Sequence, residues 1–596
     1  VCGIVGCIGG ISPRPEWVKN SLQDLTARGP DSNNVLSGTN FEFGSTRLAM
    51  VDPQPRSNQP FIIDEQVLMF NGEIYNYREI KECELSEESF STNSDTEVLA
   101  LLLKLKGAEG IHITNGMFAF ASFDGPSRVL LLGRDRLGKK PLYYRSQLDT
   151  DGFYFCSLQK PLRELGKNTI DELGIVSYLH LGYILDPLTI YKEIKSIRPY
   201  EIVRKSQNEI ESSILTYRPK KPKDSSRQIR ELVTESITSR VGDHGEVALC
   251  LSGGVDSSVI ALVLAQEGIK TSAYSVCWKD SDKERYNSDF EQAKKTAKYL
   301  GLDFRPVEAL RVDEVPDTLD HFLKIMEEPS NNPTGLSMIS LYRRISEDGL
   351  RLALTGDGAD EIFGGYMRYR YISRLGLLSR VFNAKLFSHV DISDWKSWVH
   401  WHECFSLEEI DSDFAIHSST IEKSLSVFDR VFQETISRHS PNNLKKMMAL
   451  DQSIWLSMES NRRLDRISME YSIEARSPFQ DDNLYEWWLN RGEFGISASL
   501  NKRELWRAFP ELNELGISKQ KKGFISPLGH WIRNNLEWIN ANLNWLAQQG
   551  LITRKSPWEV SQIVNSGNLK SLQKIWTVLV LSRWLQNFSA IENDEL

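Results

Sequence analysis

Short apolar runs broken by turn residues fill the first third of the chain, at 40–45, 66–70, 117–123, 129–132 and 153–156. Each carries β-branched or aromatic residues and is bounded by Gly, Asp or Asn, a pattern that predicts a mostly antiparallel, β-rich domain. Beyond it, apolar strands alternate with helices: a strand at 247–251, a glycine turn, a helix at 259–265, a strand at 271–276, a helix at 289–300 and a strand at 350–354. Such alternation predicts a parallel sheet with crossover helices. From Ile372 onward, long amphipathic stretches rich in tryptophan predict a largely helical remainder. Between the first two regions, Pro219-Lys220-Lys221-Pro222-Lys223-Asp224-Ser225-Ser226 is polar and proline-bearing, the best linker candidate in the chain. The expected organisation is a first domain over 2–210, a linker over 211–226 and a second domain over 227–590.

The 596 residues are too many for one hydrophobic core. A hydrophobic share of 40% and a charged share of 25% describe an ordinary soluble protein, and a net charge of −9 argues against a nucleic-acid binder with a broad basic surface. The seven cysteines are scattered without a CxxC pair, so neither a disulfide framework nor a zinc site is signalled and a reducing cytoplasm fits best. The chain start lacks the charge and apolar run of a signal peptide, and the apolar run 575–581 is too short to span a bilayer. No membrane and no nucleic-acid partner is expected.

Three places carry chemistry. Cys2 is followed at once by glycine. Removing Val1 would leave a thiol and a free α-amine on one residue, and an amine with a pKa of about 7.7 to 8.0 can carry the proton for the thiolate. An initiator codon translated literally as valine would account for Val1; a small buried cysteine near a first strand is the plain alternative. The loop Ser252-Gly253-Gly254-Val255-Asp256-Ser257-Ser258 directly follows an apolar strand and precedes a helix. Glycines let the backbone approach a phosphate, and the helix start adds free N–H groups. Asp256 would repel a phosphate unless a cation lay between them, which implies Mg²⁺. For this loop alone, a glycine turn capped by Asp and Ser is the competing explanation. A second loop, Thr355-Gly356-Asp357-Gly358-Ala359-Asp360-Glu361, follows the strand at 350–354. Two such loops in one parallel sheet bring carboxylates to its carboxyl edge, where ligands bind, and Asp256 and Asp360 are placed to share a magnesium ion.

Further motifs surround these: Arg28-Gly29-Pro30-Asp31, Arg47-Leu48-Ala49, Asn71-Gly72-Glu73-Ile74-Tyr75-Asn76, Ser94-Asp95-Thr96-Glu97, Gly116-Met117-Phe118-Ala119 and Gly133-Arg134-Asp135 in the first half. Asp465-Arg466-Ile467-Ser468-Met469, Glu474-Ala475-Arg476-Ser477-Pro478-Phe479 and Lys521-Lys522-Gly523-Phe524 follow in the second. In this order the chain resembles the glutamine-hydrolysing asparagine synthetase family, a class II glutamine amidotransferase joined to an ATP pyrophosphatase domain. The resemblance implies an α+β N-terminal-nucleophile hydrolase fold, an αββα sandwich. It implies next an α/β ATP-pyrophosphatase domain of the adenine nucleotide α-hydrolase type with a helical C-terminal part.

By that resemblance Cys2 attacks the side-chain amide of glutamine, while Asn71 and the Gly72 N–H form the oxyanion hole. Arg47 would bind the glutamine α-carboxylate, and Glu73 and Asp95 its α-ammonium. ATP would be held by Ser252, Gly253, Gly254, Asp256, Ser257, Ser258, Val276, Thr355 and Gly356, with Asp256 and Asp360 on Mg²⁺. A substrate carboxylate, aspartate by default, would be adenylated with release of pyrophosphate and then amidated by ammonia. Lys521 would neutralise phosphate charge, Asp357 would act as base toward ammonia, with a purely magnesium-shell role as its alternative, and Glu474 and Arg476 are candidates for the acceptor's charged groups, an internal ion pair explaining them almost as well. Residues 117–120 are candidates for the start of a dry ammonia passage. A homodimer is a candidate oligomeric state that the sequence does not decide.

The sequence departs from the family in places. Ala27 stands where relatives usually carry histidine, Leu158 where glutamate is usual, Glu470 where a small residue is common, and Arg198-Pro199 where Pro-Gly is frequent. The first three bear on the acceptor more than on the reaction. A related amidotransferase or amide-forming cyclase acting on another carboxylate, and an inactive scaffold on the same fold, remain as alternatives.

Overall fold

The computed structural model describes residues 2–9, 15–147, 152–207, 209–217, 228–279, 286–379, 392, 394–436, 443–491, 500–518, 526–553, 560, 563 and 567–588. The linker candidate at 219–226 and Lys521 lie outside them.

Two six-stranded sheets form the first half. One runs Lys195–Ser196, Tyr143–Gln147, Gly152–Cys156, Cys2–Ile8, Phe41–Arg47, Ser32–Gly38; the other runs Ile210–Ile214, Glu201–Lys205, Val129–Arg134, Gly116–Asp124, Gln66–Ile74, Phe61–Ile63. Every pairing in both is antiparallel. Because side chains alternate along a strand, each sheet has two apolar faces. Cys2, Ile4 and Ile8 meet Val67, Met69, Ala119 and Phe123 between the sheets. Val5 and Cys7 face outward, in one cluster with Trp17, Val18 and Leu22 of helix Pro15–Asp24. Leu68 and Phe70 do the same on the other side with Val98, Leu99 and Leu102 of helix Asp95–Lys106. The result is four layers, helix, sheet, sheet, helix.

The second half is built on a parallel sheet ordered Asp303–Glu308, Lys270–Cys277, Glu246–Cys250, Leu352–Leu354, Glu474–Arg476. Val247, Leu249, Leu352 and Leu354 pack with Val259, Ile260, Ala293 and Ala297 from helices Val255–Gln266 and Ser288–Leu300 on one face. Ala248, Tyr274 and Ala353 pack with Phe322, Ile339 and Tyr342 on the other. Both faces are thus covered, as a parallel sheet requires. From 372 on the described elements are mostly helical, with the short strand Glu474–Arg476 as an exception. Residues 443–470 form one continuous helix whose middle, Asp451–Asn461, is π-helical. The run 575–581 is the buried middle of the last helix, Leu569–Phe588, and among the described residues no helix is long and apolar enough to cross a membrane.

Candidate active sites

The first site lies where strands Cys2–Ile8 and Gln66–Ile74 face each other. Asn71 stands two residues beyond Met69 and therefore shares the inter-sheet face with Cys2. The Cys2 backbone N–H donates to Asn71 Oδ1 at 3.2 Å, which leaves the carboxamide nitrogen; that nitrogen is buried and has no hydrogen-bond partner among the described residues. An unspent donor beside a sulfur is what a developing oxyanion needs. Gly72 has φ +152°, and a Cβ there would lie 2.0 Å from the Met117 carbonyl oxygen, so only glycine fits. Burial raises the Cys2 thiol pKa.

Arg47, directly opposite Cys2 on the neighbouring strand, donates to the carbonyls of Val51 (3.0 Å), Asp52 (2.6 Å) and Gln54 (3.1 Å) and to Asn58 Oδ1 (2.8 Å), clamping the loop at 51–58. Asp95 opens its helix and accepts from the Ile74 N–H at 3.0 Å; burial raises its pKa. Glu73 is already engaged by a cation. Its carboxylate pairs with the Arg476 guanidinium of the second domain, which also donates to Glu474 at 2.7 Å and to the Arg240 carbonyl. One guanidinium between two buried carboxylates cannot compensate both. Burial raises both, but the Arg476 charge dominates at Glu474 and takes it down to about 2, whereas Glu73 stays well above the usual carboxylate range.

This placement corrects the expectation for Glu474 and Arg476. Both are fully buried, pair with each other and with Glu73, and are absent from the lining of the second site's cavity. They are an internal ion pair at the domain junction, because the edge strand that carries them faces the first domain. Around them the junction is held by Arg28 on Asp465 (2.8 Å), Lys140 on Asp465 (3.0 Å) and Asn115 on Asp481 (2.8 Å). A small apolar cluster of Leu48, Met117 and Met469, with Met50 and Tyr75 against it, bridges the same junction.

The second site sits at the carboxyl edge of the parallel sheet. Gly253, with φ +73°, turns the first loop so closely against helix Ser288–Leu300 that a Cβ would lie 2.4 Å from the Asp289 carbonyl oxygen. The N-terminus of helix Val255–Gln266 follows. A Cβ on Gly356 would lie 2.9 Å from the Asp256 Cβ, so the two glycine loops touch. They open into one cavity of about 730 Å³, inside the range for small-molecule sites. Ser252, Gly253, Gly254, Asp256, Ser257, Val276, Thr355, Gly356, Asp357 and Asp360 all line it; Ser258 does not, being one turn further into the helix and fully buried.

Lys502 is the residue that sequence reasoning missed. Its ammonium lies 2.6 Å from Asp256 and 2.8 Å from Asp360, tying the two loops together. Burial alone would lower its pKa; the two carboxylates outweigh that and raise it. The signal in the sequence is thin, a lysine outside any glycine motif. Asp357 accepts from Ser460 Oγ at 3.1 Å, a contact supplied by the π-helical segment, and the same segment puts Trp455 in the cavity wall against Tyr366, 6.0 Å between ring centroids. Asp256 and Asp360 are hard oxygen donors that converge on one cation, a set that would suit a magnesium ion.

Residues 1–217 match the family described as glutamine amidotransferase domain, and residues 228–586 the family described as asparagine synthase. Among curated proteins the chain is similar to asparagine synthetase (glutamine-hydrolyzing) 1 of Bacillus subtilis (strain 168), 26% identical with 98% of this chain and 96% of that protein covered. It is similar also to asparagine synthetase (glutamine-hydrolyzing) 3 of the same organism, at 27% with 82% and 81% covered, and to the amidase chry2 of Gibberella zeae, at 26% with 87% and 86% covered. The second family match alone spans more than half of the chain. The protein belongs to the asparagine synthase family, as a glutamine amidotransferase domain followed by an ATP-using synthase domain.

Proposed function

We propose that the protein is a glutamine-dependent asparagine synthetase: it releases ammonia from glutamine at Cys2 and transfers it to the side-chain carboxylate of aspartate after activation by ATP. In this reading the Cys2 thiol attacks the glutamine carboxamide carbon. The Asn71 carboxamide and the Gly72 N–H donate to the oxyanion, Arg47 and Asp95 hold the α-carboxylate and α-ammonium, and ammonia leaves with the thiol's proton as the γ-glutamyl thioester forms; water then hydrolyses the thioester, releasing glutamate and restoring the thiol. Glu73 helps bind the α-ammonium to the extent that its pairing with Arg476 allows. Uncharged ammonia needs a path shielded from water, and the apolar junction of Leu48, Met117 and Met469 supports one.

In the second domain the acceptor carboxylate attacks the α-phosphorus of ATP. Pyrophosphate leaves, and ammonia then displaces AMP from the acyl carbon. Ser252 to Ser257 cradle the phosphates, Val276, Thr355 and Gly356 line the nucleoside, and Lys502 neutralises charge that builds on the phosphates. Lys521 is assigned the same task by resemblance alone. Asp256 and Asp360 would hold a magnesium ion, which when bound would supply further neutralisation of phosphate charge. Asp357, fixed by Ser460, takes a proton from the attacking nitrogen. The reading is best carried by one observation: both acidic loops and the Lys502 ammonium meet in a single cavity.

One feature favours a larger acceptor. Tyr366, Trp455 and Trp506 are half-buried rings in the cavity wall, beyond Asp360 and Lys502, and would suit a carboxylate carried on an apolar body. Purified protein with ATP, Mg²⁺ and glutamine, scanned over carboxylates for pyrophosphate and AMP release, tests both. Turnover of aspartate supports the first reading; silence with aspartate and turnover of a bulky acid replaces it with the second.

A further inference from the structure

Gln59 closes the loop that Arg47 clamps, and it is 3% exposed. Its side-chain oxygen accepts the Phe70 backbone N–H at 2.6 Å, in the strand that carries Asn71. Its backbone carbonyl accepts Ser45 Oγ at 2.6 Å, in the strand next to Cys2. These contacts fix the direction of the carboxamide: the oxygen is committed to Phe70, so the nitrogen faces the other way. There it lies 3.5 Å from Cys2 Sγ and 3.5 Å from Thr96 Oγ1.

We propose that Gln59 is a thiolate-supporting residue, whose amide N–H donates to the Cys2 sulfur and stabilises its charged form. The assignment rests on the reading of Cys2 as the nucleophile. A thiolate in an apolar surround needs donors, and burial works against its formation here. The charged groups that act on this thiol are the N-terminal ammonium and Arg47 of the adjacent strand, against Asp95 from the helix start and Glu474 from the second domain; two cations face two acids, and burial, the largest effect, still holds the thiol pKa up. A neutral donor held in register by two sheets makes up part of that deficit. The same contact aims the sulfur, since Gln59 is anchored to the strand that presents the oxyanion donor.

The test uses the full chain and the diazoketone analogue of glutamine, with Cys2 modification read by peptide mass spectrometry and the saturating labelling rate followed against pH. Gln59→Met and Gln59→Leu remove the donor, together with the oxygen that accepts from Phe70, without placing a charge beside the sulfur. Circular dichroism identifies which variants remain folded, and one folded variant decides. The expected result is a labelling profile moved to higher pH by about one unit, thus roughly tenfold slower labelling near neutrality, with the half-saturating analogue concentration unchanged. A profile that superimposes on the wild type overturns the role of Gln59 while leaving Cys2 as nucleophile. Failure of the analogue to label Cys2 in the wild-type protein overturns both.

Discussion

Arg476 of the second domain and Glu73 of the first form a buried ion pair next to the residues that would receive glutamine. Glu73 follows Gly72 on its strand, and the Arg476 carbonyl accepts the N–H of Thr355, which opens the acidic loop of the other site. A single residue therefore touches the surroundings of both sites, Glu73 through its side chain and Thr355 through its backbone. Removing it should expose the cost of an uncompensated buried charge. Arg476→Met is expected to lower stability by about 3–5 kcal/mol, and pairing it with Glu73→Gln should recover part of that loss. Chemical denaturation of the single and double variants measures both.

Asp465 carries the junction's second charge cluster. Burial would raise its pKa, but Arg28 and Lys140 outweigh burial and bring it to about 2 from an ordinary 3.8. A depressed acid stabilises the fold above its unfolded pKa, and the stabilisation is lost as pH falls through the folded value. The wild type should therefore lose roughly 2 kcal/mol between about pH 4 and pH 2 that Asp465→Asn does not lose. Denaturation curves of both proteins across that range check the difference in slope.

Among the described residues the Asn71 carboxamide nitrogen has no hydrogen-bond partner. Asn71→Ala is expected to reduce glutamine hydrolysis by about 100- to 1,000-fold in kcat, with a smaller change in KM, because the donor acts on charge present only in the transition state. Steady-state kinetics with glutamine distinguish this from a binding defect.

Much of this arrangement was legible in the chain because local chemistry marks it. The glycine loops announce themselves by sitting between an apolar strand and an apolar helix, and the observed strand Glu246–Cys250 and helix Val255–Gln266 flank the first loop. The alternating strands at 66–70 and 117–123 extend to Gln66–Ile74 and Gly116–Asp124, growing by the polar and glycine residues that form the site and that propensity disfavours. Cys2–Ile8 was harder to read as a strand, since two of its residues are glycine. Lys502 and Gln59 were not legible. Each acts through a contact distant in sequence, Lys502 on Asp256 and Gln59 on Cys2, and no spacing rule reports such a meeting. Glu474 and Arg476 show the converse: a charged motif at a strand end suggested ligand binding, while the edge position of that strand turns it to the other domain.

Lys502 links the two acidic loops, so its loss should be felt at one site only. Lys502→Met is expected to cut ATP-dependent pyrophosphate release by roughly a hundredfold or more, leaving glutamine hydrolysis near the wild-type rate. Parallel assays of pyrophosphate and glutamate on the same preparation decide it.

In the proposed function nitrogen is freed at Cys2 and consumed in a separate cavity. Cys2→Ala, assayed for pyrophosphate-coupled amide formation with glutamine and then with ammonium salt, separates the two steps. The expected result is loss of all glutamine-supported product and near wild-type product with ammonium. Glutamine-supported product from the variant, or loss of the ammonium-supported reaction in a folded variant, would contradict it.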